Sequence, residues 1–466
     1  MERLSYHLDK SLNTPLYLQL YQQIRDLIYQ EALVLGDKLP SKRYLSDYLN
    51  ISQNTVESAY GQLIAEGYIE SVSRRGFFVC FQPKFFFNKN TTALSNIVPN
   101  NSPSFAFDFN PHYIDTRHFP LNRWRKAGNT LFQTNSSLLS LGSKQGDIGL
   151  RYEICRYLFS SRGVSCQPEQ IVIGAGLEIC IQQLILLFNQ LYQDQPVQYG
   201  MEFYGYATIE KLLKLYQQKI VKLPLNQDNQ QLNLKYLFDS QVNIACVTPS
   251  HLFPFGHVLS MTQREQLLTW AKEKPNRYII EDDYDSEFRY KGKPIPALQS
   301  LDKNDSVIYL GSFSKLLMPS IRLSFMVLPN HLLALYQQHC GFLNCSVSRF
   351  EQQRLANFIQ QGDFEKHISR MRKIYRRKME LLCKVLQPYH QNIRYYGEDS
   401  GFYLLVEVVN KKYSMEELIN LANKSSIKVY SVNYTDRKLF SLGFGDLSEE
   451  QLMLGINKLL QVWMNK

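Results

Sequence analysis

The chain lacks the marks of several protein classes. Its eight cysteines are scattered over 466 residues, with no C-x-x-C pair and no histidine cluster at the spacing of metal ligands. No segment approaches the roughly eighteen apolar residues that a membrane helix requires, and the N-terminus lacks the apolar region of a secretory signal. These absences predict reduced, buried thiols, no metal site and a cytoplasmic protein.

The N-terminal part of the chain carries no excess of positive charge that would by itself indicate binding to nucleic acid. The net charge is +10, but residues 1–84 hold nine Lys or Arg and nine Asp or Glu. The excess is densest over residues 364–384, where eight basic residues accompany two acidic ones. Apolar residues recur there at helical spacing, which favours a solvated helix face over a binding surface. Charge alone therefore identifies no partner.

The first eighty residues have the pattern of three helices followed by a hairpin. Apolar residues recur at helical spacing over 15–31, and Ser41 and Ser52 are placed to cap two further helices. Because only a two-residue turn separates these two helices, they must pack at a steep angle, as in a helix-turn-helix. Residues 67–72 and 74–80 predict two strands joined by a basic turn, which is a wing.

The third helix would contact DNA bases, because short amides and hydroxyls at a helix start can reach base edges. Basic pairs at the start of the second helix and in the wing turn are placed to contact phosphates. The residues predicted to bind DNA are Lys42, Arg43, Ser52, Gln53, Asn54, Thr55, Arg74 and Arg75. A protein-docking module could have the same helices, but the basic pairs favour DNA. A module without net charge should bind DNA weakly as a monomer, which implies a dimer.

Residues 81–105 lose periodicity and are rich in Asn, Pro, Ser and Thr, which predicts a linker. The triplet Phe85–Phe87 is unusual in a free linker, and we expect it to dock on the larger domain. Beyond the linker, predicted strands alternate with predicted helices. This alternation predicts a largely parallel α/β sheet with its chemistry at the carboxyl ends of the strands.

Lys315 belongs to a group of side chains that suits pyridoxal phosphate. An amine that forms a Schiff base with this cofactor needs a carboxylate for the ring nitrogen, a phenol for the ring oxygen, and hydroxyls with a guanidinium for the phosphate. The side chains that could supply these groups are Asp282, Tyr284, Ser312, Ser314 and Arg322. An isolated S-x-S-K would more often place a surface lysine at a strand end. The neighbouring side chains favour the cofactor.

Two further features of this group allow more than one interpretation. Gly174-Ala175-Gly176 follows a predicted strand and opens a helix, so the amides of Ala175 and Gly176 can meet a phosphate. Taken alone, such a pair is more often a tight turn. Glu281, Asp282, Asp283 and Asp285 crowd together, and spacing does not decide which of them meets the ring nitrogen. We favour Asp282, since strand alternation places Asp283 on the opposite face.

Two parts of the chain resemble known families. Residues 39–79 resemble the winged helix of the GntR regulator superfamily. Four segments resemble fold-type I aminotransferases: residues 146–176, 248–256, 281–290 and 311–325. The combination resembles the MocR family of bacterial regulators over nearly the whole chain. It implies four parts: an α+β winged helix-turn-helix domain (1–80), a linker (81–105), a large α/β fold-type I domain (106–330) and a smaller C-terminal domain (331–466).

The resemblance also implies roles for individual residues. Lys315 would form the Schiff base, Asp282 would hold the pyridinium nitrogen and Tyr284 would bond the ring oxygen. Tyr206 matches the aromatic residue that stacks on the cofactor ring, although it could be a plain core aromatic. The family further implies a homodimer, in which the winged helix of one subunit lies against the large domain of the other.

The chain departs from the family pattern at the carboxylate clamps. Ser441 stands where aminotransferases usually have an arginine, and Thr208 and Asn433 lie roughly where amino-acid sensors of the family have arginines. Arg437 is near enough in sequence to be a substitute. The pattern therefore favours a regulator of promoter DNA that senses an amine, an amino acid or pyridoxal phosphate itself. The alternatives are a working aminotransferase with an appended domain, and a relic that binds no cofactor.

Overall fold

The computed structural model describes residues 6–12, 14–81, 105–129, 136–193, 195–410 and 412–464. The chain divides into two compact units, Met1–Ser102 and Pro103–Lys466. The predicted docking of Phe85–Phe87 concerns residues outside the described ranges. Within these ranges, no helix is long and apolar enough to cross a bilayer.

The first unit is a winged helix. Its helices are α1 (Leu16–Tyr29), α2 (Lys42–Leu49) and α3 (Gln53–Ala65), and its strands are β1 (Lys38–Leu39), β2 (Ile69–Val72) and β3 (Gly76–Val79). The strands form an antiparallel sheet in the order β1-β3-β2. Ser41 and Ser52 cap α2 and α3 as predicted, because each side chain accepts a hydrogen bond from the backbone N–H three residues further on.

The core of this unit follows the helical pattern of the sequence. Ile24 of α1 and Val56 and Leu63 of α3 are fully buried. Strand β1 was missed, because residues 36–40 carried only the signal of a helix break. A strand of two residues has no periodicity of its own, and its pairing with β3 is a tertiary contact.

The second unit contains most of the chain. Its strands are β4 (Phe107–Asp108), β5 (Ile171–Gly174), β6 (Gln198–Glu202), β7 (Lys219–Leu223), β8 (Ile244–Val247), β9 (Tyr278–Asp283), β10 (Val307–Ser312), β11 (Ser324–Val327), β12 (Ile393–Tyr396), β13 (Tyr403–Val408), β14 (Ile427–Lys428), β15 (Tyr430–Tyr434) and β16 (Arg437–Gly443). Its helices are α4 (Leu121–Asn129), α5 (Ile148–Arg162), α6 (Leu177–Tyr192), α7 (Ala207–Leu215), α8 (Lys235–Phe238), α9 (Met261–Glu273), α10 (Phe313–Leu316), α11 (Asn330–His339), α12 (Arg349–Gln360), α13 (Asp363–Leu386), α14 (Met415–Lys424) and α15 (Glu449–Met464).

The central sheet has seven strands in the order β5-β11-β10-β9-β8-β6-β7. All neighbours are parallel except the two pairings of β11, which are antiparallel. The largely parallel sheet predicted from the alternation of elements is therefore confirmed. A separate antiparallel sheet has the order β12-β13-β16-β15, and the short strand β4 pairs with β14.

The sheet brings the ends of three strands to one edge. In the pairing of β9 with β10, Asp282 lies opposite Leu310, two residues before β10 ends at Ser312. Strand β5 runs parallel to β10, because each of them is antiparallel to β11. Asp282, the turn into α10 and the turn into α6 therefore lie at the same carboxyl edge, where α/β sheets bind ligands.

Helix α13 contains the densest basic stretch of the sequence. Lys366, Arg370 and Arg377 are among its exposed residues, as a solvated helix face requires. Lys378 is an exception, because its Nζ is buried and donates to Asp115 Oδ2 at 2.9 Å and to a backbone carbonyl at 2.8 Å. This buried pair fastens the segment before α4 to α13 and leaves Lys378 unavailable to a partner.

Candidate functional site

Lys315 lies on the one-turn helix α10, directly after the carboxyl end of β10. Its Nζ donates a hydrogen bond to the backbone carbonyl of His112 at 2.7 Å. Burial lowers the pKa of Lys315 to about 8, although the charge of Asp285 opposes the shift. Near pH 7, a larger fraction of such a lysine is neutral than of an ordinary lysine, and the neutral amine is the form that attacks a carbonyl carbon.

The three carboxylates of β9 are separated by the pleat of the strand. Glu281 accepts hydrogen bonds from two backbone N–H groups at 2.7 and 2.8 Å. Asp283 accepts hydrogen bonds from Arg162 Nε and from the Tyr309 hydroxyl, each at 2.7 Å. Asp282 alternates with them and accepts no hydrogen bond from the described residues. Burial raises the pKa of Asp282 to about 7, and nearby carboxylates add to the shift. Of the three, Asp282 is the one left to pair with a cationic group.

Tyr284 follows β9 and contacts His251. Its oxygen lies 3.0 Å from the His251 carbonyl oxygen and 3.1 Å from His251 Nδ1. The same nitrogen lies 2.7 Å from Asp285 Oδ2. Burial, with Asp285 next in effect, raises the pKa of Tyr284 well above its ordinary value. The phenol therefore keeps its proton and can donate to an anionic oxygen.

Arg322 and the start of α6 form the cationic end of the site. Arg322 Nη2 lies 2.5 Å from Glu178 Oε2, and its guanidinium lies so close to Gly176 that a Cβ there would collide with it. Arg322 has φ +45°, which is uncommon for a residue other than glycine. An anion at this helix N-terminus would meet Arg322 and the helix dipole, and would compete with Glu178.

The two backbone amides predicted for a phosphate are bonded within the chain. Ala175 N–H donates to Ser346 Oγ at 2.9 Å, and Gly176 N–H donates to Gly174 O at 2.9 Å. Sequence reasoning missed Ser346, because it lies 171 residues after Ala175 and belongs to no motif. A phosphate would have to displace both of these bonds to use the amides.

The two serines before Lys315 differ in their partners. Ser312 Oγ accepts hydrogen bonds from Ser314 N–H at 3.3 Å and from Ser324 Oγ at 2.9 Å. Ser314 Oγ is buried and has no hydrogen-bond partner among the described residues. A buried hydroxyl without a partner costs free energy, so the Ser314 hydroxyl fits a phosphate oxygen as its acceptor.

Tyr206 and Thr208 lie at the start of α7. Tyr206 is 40% exposed, which is inconsistent with a plain core aromatic. Thr208 is half-buried. Its side chain carries no charge with which to bind a carboxylate.

Arg437, the possible substitute for a clamp, is already paired. Its Nε and Nη2 lie 2.9 and 2.8 Å from the two carboxylate oxygens of Glu407, and Nη2 lies 2.7 Å from Tyr396 Oη. The guanidinium carbon lies 5.4, 5.2 and 5.9 Å from the ring centroids of Phe255, Tyr396 and Tyr434. This bidentate pair with aromatic packing occupies the donors that an effector carboxylate would need.

Ser441 lies on the face of β16 that points toward the site. It pairs with Leu405, and two residues later Gly443 pairs with Tyr403, whose ring stacks on His251 at 5.4 Å. Gly443 is packed against Asn110, close in sequence to the carbonyl that accepts the Lys315 hydrogen bond. Ser441 is 1% exposed, and its Oγ has no hydrogen-bond partner among the described residues. At position 441, this face of β16 therefore presents a hydroxyl group and no charged group.

The predicted DNA-binding residues of the first unit fall into two groups. Gln53 and Asn54 are exposed at the start of α3, and Arg43 is exposed on α2. Lys42 is less available, because its Nζ lies 2.6 Å from Glu57 Oε1. Ser52 and Thr55 bond each other at 2.8 Å, so part of their capacity is used in capping α3.

The wing turn presents two further arginines. Arg74 is exposed and has φ +59°, which lets the hairpin reverse between β2 and β3. Arg75 is exposed, and its guanidinium carbon lies 5.5 Å from the ring centroid of Phe78. The turn therefore holds two positive charges at the tip of the wing.

Comparison with known proteins agrees with both domains. Residues 107–450 match the family model of aminotransferase class I and II, and residues 16–79 match that of the bacterial regulatory proteins of the gntR family. The HTH-type transcriptional regulator YdeL of Bacillus subtilis (strain 168) is 39% identical over 98% of this chain and 98% of its own length. The "Probable rhizopine catabolism regulatory protein MocR" of Rhizobium meliloti is 31% identical over 81% of this chain and 79% of its own length.

The second unit also has the fold of solved aminotransferases. The kynurenine aminotransferase of Pyrococcus horikoshii aligns with a TM-score of 0.66 and 20% identity, over 78% of this chain and 91% of that chain. A winged helix joined to an aminotransferase-like domain defines a transcriptional regulator. The chain belongs to the MocR family of such regulators.

Proposed function

We propose that this regulator binds pyridoxal phosphate through Lys315 and uses the aminotransferase-like domain as a sensor that controls its binding to promoter DNA. The observation that carries the proposal is the grouping at one edge of the central sheet. That edge carries a lysine with a lowered pKa, a guanidinium at a helix N-terminus, and a buried carboxylate that has no hydrogen-bond partner among the described residues. When bound, the cofactor supplies an electrophilic carbon to which Lys315 or an amine can attach.

The side chains fit the cofactor on four counts. Asp282 and Ser314 have no hydrogen-bond partner in the described part of the chain. The Asp282 carboxylate would pair with a protonated ring nitrogen, which would lower its raised pKa, and the Ser314 hydroxyl would donate to the phosphate. Tyr284 would donate to the ring oxygen, and Tyr206 would stack on the ring. The other groups proposed for the phosphate are Ala175, Gly176, Ser312 and Arg322.

The proposed DNA contacts follow from exposure and charge in the winged helix. Gln53 and Asn54 would contact base edges, while Arg43, Arg74 and Arg75 would neutralise phosphates. A net-neutral module makes few such contacts, so we propose a homodimer that places two winged helices on paired half-sites.

The proposed effector is an amine without an α-carboxylate, or pyridoxal phosphate itself. This choice rests on two observations on the clamp region. Arg437 is held by Glu407, and Ser441, four residues later on β16, carries no charge. An amino acid would bring a carboxylate into a site with no guanidinium free among these positions, at a cost in desolvation.

Cofactor uptake tests the proposal directly. Full-length protein incubated with pyridoxal phosphate is expected to gain a visible absorption band, and borohydride reduction should fix the added mass on the peptide that contains Lys315. Rapid turnover of an amino acid with a keto acid by the same preparation would instead support a working aminotransferase.

A substitution at Gly176 tests the phosphate end of the site. Gly176→Ala is expected to weaken the affinity for pyridoxal phosphate at least about tenfold, because the added Cβ displaces the Arg322 guanidinium and charge-assisted bonds of this kind contribute about 1.5–3 kcal/mol. Gly176 also has φ +95°, where alanine is strained. The control is Gly149→Ala, since a Cβ at Gly149 meets no atom within 4 Å. Equal affinity in the two variants would contradict this phosphate site.

A substitution at Ser441 tests the effector class. Ser441→Arg is expected to let α-amino acids shift the cofactor absorption at concentrations about tenfold lower or more, because a bidentate carboxylate pair becomes available. Ser441→Lys is the matched control, since it adds similar bulk and charge without the bidentate geometry. Both variants are compared with wild type by thermal unfolding. A strong response of the wild-type protein to amino acids would overturn the assignment.

A further inference from the structure

A buried histidine, His251, lies next to Tyr284 and is paired with a buried aspartate, Asp285. The proposed function assigns no role to either residue. His251 Nδ1 lies 2.7 Å from Asp285 Oδ2, and both side chains are 2% exposed. Asp285 makes no other side-chain hydrogen bond with the described residues. A carboxylate this deeply buried is costly unless it is paired, so the geometry assigns the Nδ1 proton of His251 to Asp285.

Aromatic rings fix the orientation of the imidazole. Tyr284 stacks on the imidazole at a centroid distance of 5.7 Å, and Tyr403 stacks on it at 5.4 Å with an interplanar angle of 17°. Gly256 and Gly401 approach the ring edges so closely that a Cβ at either position would press against the imidazole. His251 therefore has little room to rotate, and the direction of its Nδ1–H bond is fixed.

The same nitrogen also faces the Tyr284 hydroxyl. The Tyr284 oxygen lies 3.1 Å from Nδ1 and 3.0 Å from the His251 carbonyl oxygen. Since the Nδ1 proton is directed to Asp285, Nδ1 cannot accept from the hydroxyl, which instead donates to the carbonyl. The Nδ1–H group that donates to Asp285 also lies within hydrogen-bond distance of the Tyr284 oxygen, which can accept a share of it. His251 thus holds the Tyr284 oxygen at two points, through the Nδ1–H group and the backbone carbonyl, while a turn of the hydroxyl hydrogen can redirect its own bond.

We propose that His251 and Asp285 are positioning residues that hold the Tyr284 hydroxyl where it can donate to the ring oxygen of pyridoxal phosphate. The inference rests on the proposed function, because it needs the cofactor at Lys315. The positioning changes the pH at which the visible absorption of the bound cofactor shifts. When the proton shared between the lysine nitrogen and the ring oxygen is lost, the ring oxygen becomes a stronger acceptor, and a fixed Tyr284 donor stabilises that form.

The charged and titratable neighbours of this group are few among the described residues. Asp285 and Tyr403 face the imidazole, while Asp282 and Glu202 act on Tyr284 through space. Lys315 is the cationic group near Asp285. Because Asp285 also acts on Lys315, a substitution of Asp285 changes both the hold on Tyr284 and the charge near Lys315. A comparison with and without the Tyr284 hydroxyl is needed to separate these two effects.

The test measures the pH midpoint of the visible absorption of the PLP-loaded, full-length protein. His251→Phe keeps an aromatic ring against the two tyrosines and removes both nitrogens. It is expected to raise the midpoint by about one pH unit, the order of one lost hydrogen bond to the ionised form. Tyr284→Phe should raise the midpoint at least as much. In the Tyr284→Phe background, His251→Phe should add nothing.

The outcomes separate the inference from the proposed function. The control is His257→Phe, which replaces a histidine that stacks on Phe255 instead, and its midpoint should equal that of wild type. Equal shifts from His251→Phe with and without the Tyr284 hydroxyl, or a lowered unfolding temperature with an unchanged midpoint, would overturn the positioning role alone. If His251→Phe does not fold, Asp285→Asn is measured in the same two backgrounds. Its effect through the charge near Lys315 is common to both, so the positioning role predicts a midpoint shift that is more positive with the Tyr284 hydroxyl than without it. Failure of the wild-type protein to take up the cofactor would overturn both proposals.

Discussion

Replacing Lys315 with alanine is expected to abolish covalent retention of pyridoxal phosphate and to remove the effect of any amine on DNA binding. The physical reason is that Lys315 is the half-buried amine at the carboxyl edge of the sheet, with a pKa lowered to about 8 by burial. Alanine removes the nucleophile and leaves the acidic and phosphate ends of the site unchanged. Absorption spectra after gel filtration measure retention, and fluorescence anisotropy with genomic fragments selected on the immobilised full-length protein measures DNA binding.

Two companion variants sharpen this result. Lys315→Arg retains a positive charge but cannot form the covalent bond, so it should lose retention as completely as alanine. Lys303→Ala removes an exposed lysine and should match wild type in both measurements. If Lys315→Ala keeps both the visible absorption and the amine response, the central assignment is wrong.

The second large effect is expected from the start of α3. Replacing Gln53 and Asn54 together with alanine should weaken binding to the selected fragments by about 100-fold or more, because each bidentate contact with a base contributes about 1–3 kcal/mol of discrimination. Binding to unrelated DNA should hardly change, since these amides carry no charge. Gln62→Ala, at the other end of the same helix, is the matched control.

Arg43 should behave differently from the amides. As an exposed cation, it is expected to contribute to all DNA alike, so Arg43→Ala should lower the affinity for selected and unrelated fragments by the same factor. The slope of log affinity against log salt should fall by about one for the lost phosphate contact. A loss of affinity confined to the selected fragments would show that Arg43 contacts bases and not phosphates.

The local patterns of the sequence predicted much of the fold. Ser41 and Ser52 predicted helix starts, because a capping side chain bonds a backbone N–H only three residues away. The alternation of strands and helices predicted the parallel sheet for a similar reason, since each element has its own periodicity. Strand β1 escaped prediction, because its two residues are strand only through their pairing with β3.

The roles of the acidic residues depended on tertiary contacts. Spacing placed four carboxylates in one cluster, and the structure separates them by partner. Glu281 bonds backbone amides, Asp283 pairs with Arg162 and Asp285 with His251, while Asp282 has no hydrogen-bond partner among the described residues. Arg162 and His251 lie far from β9 in the chain, so no local pattern could have assigned these pairs.

The sequence by itself determined the two domains, the family and the set of side chains that suits pyridoxal phosphate, because motifs are local and residue chemistry does not depend on the fold. Only the tertiary structure decided which of the candidate side chains are available to a ligand or to DNA. It paired Arg437 with Glu407 and Lys42 with Glu57, and it placed His251 behind Tyr284. Availability depends on the distances between atoms that the fold brings together, and a linear pattern does not contain those distances.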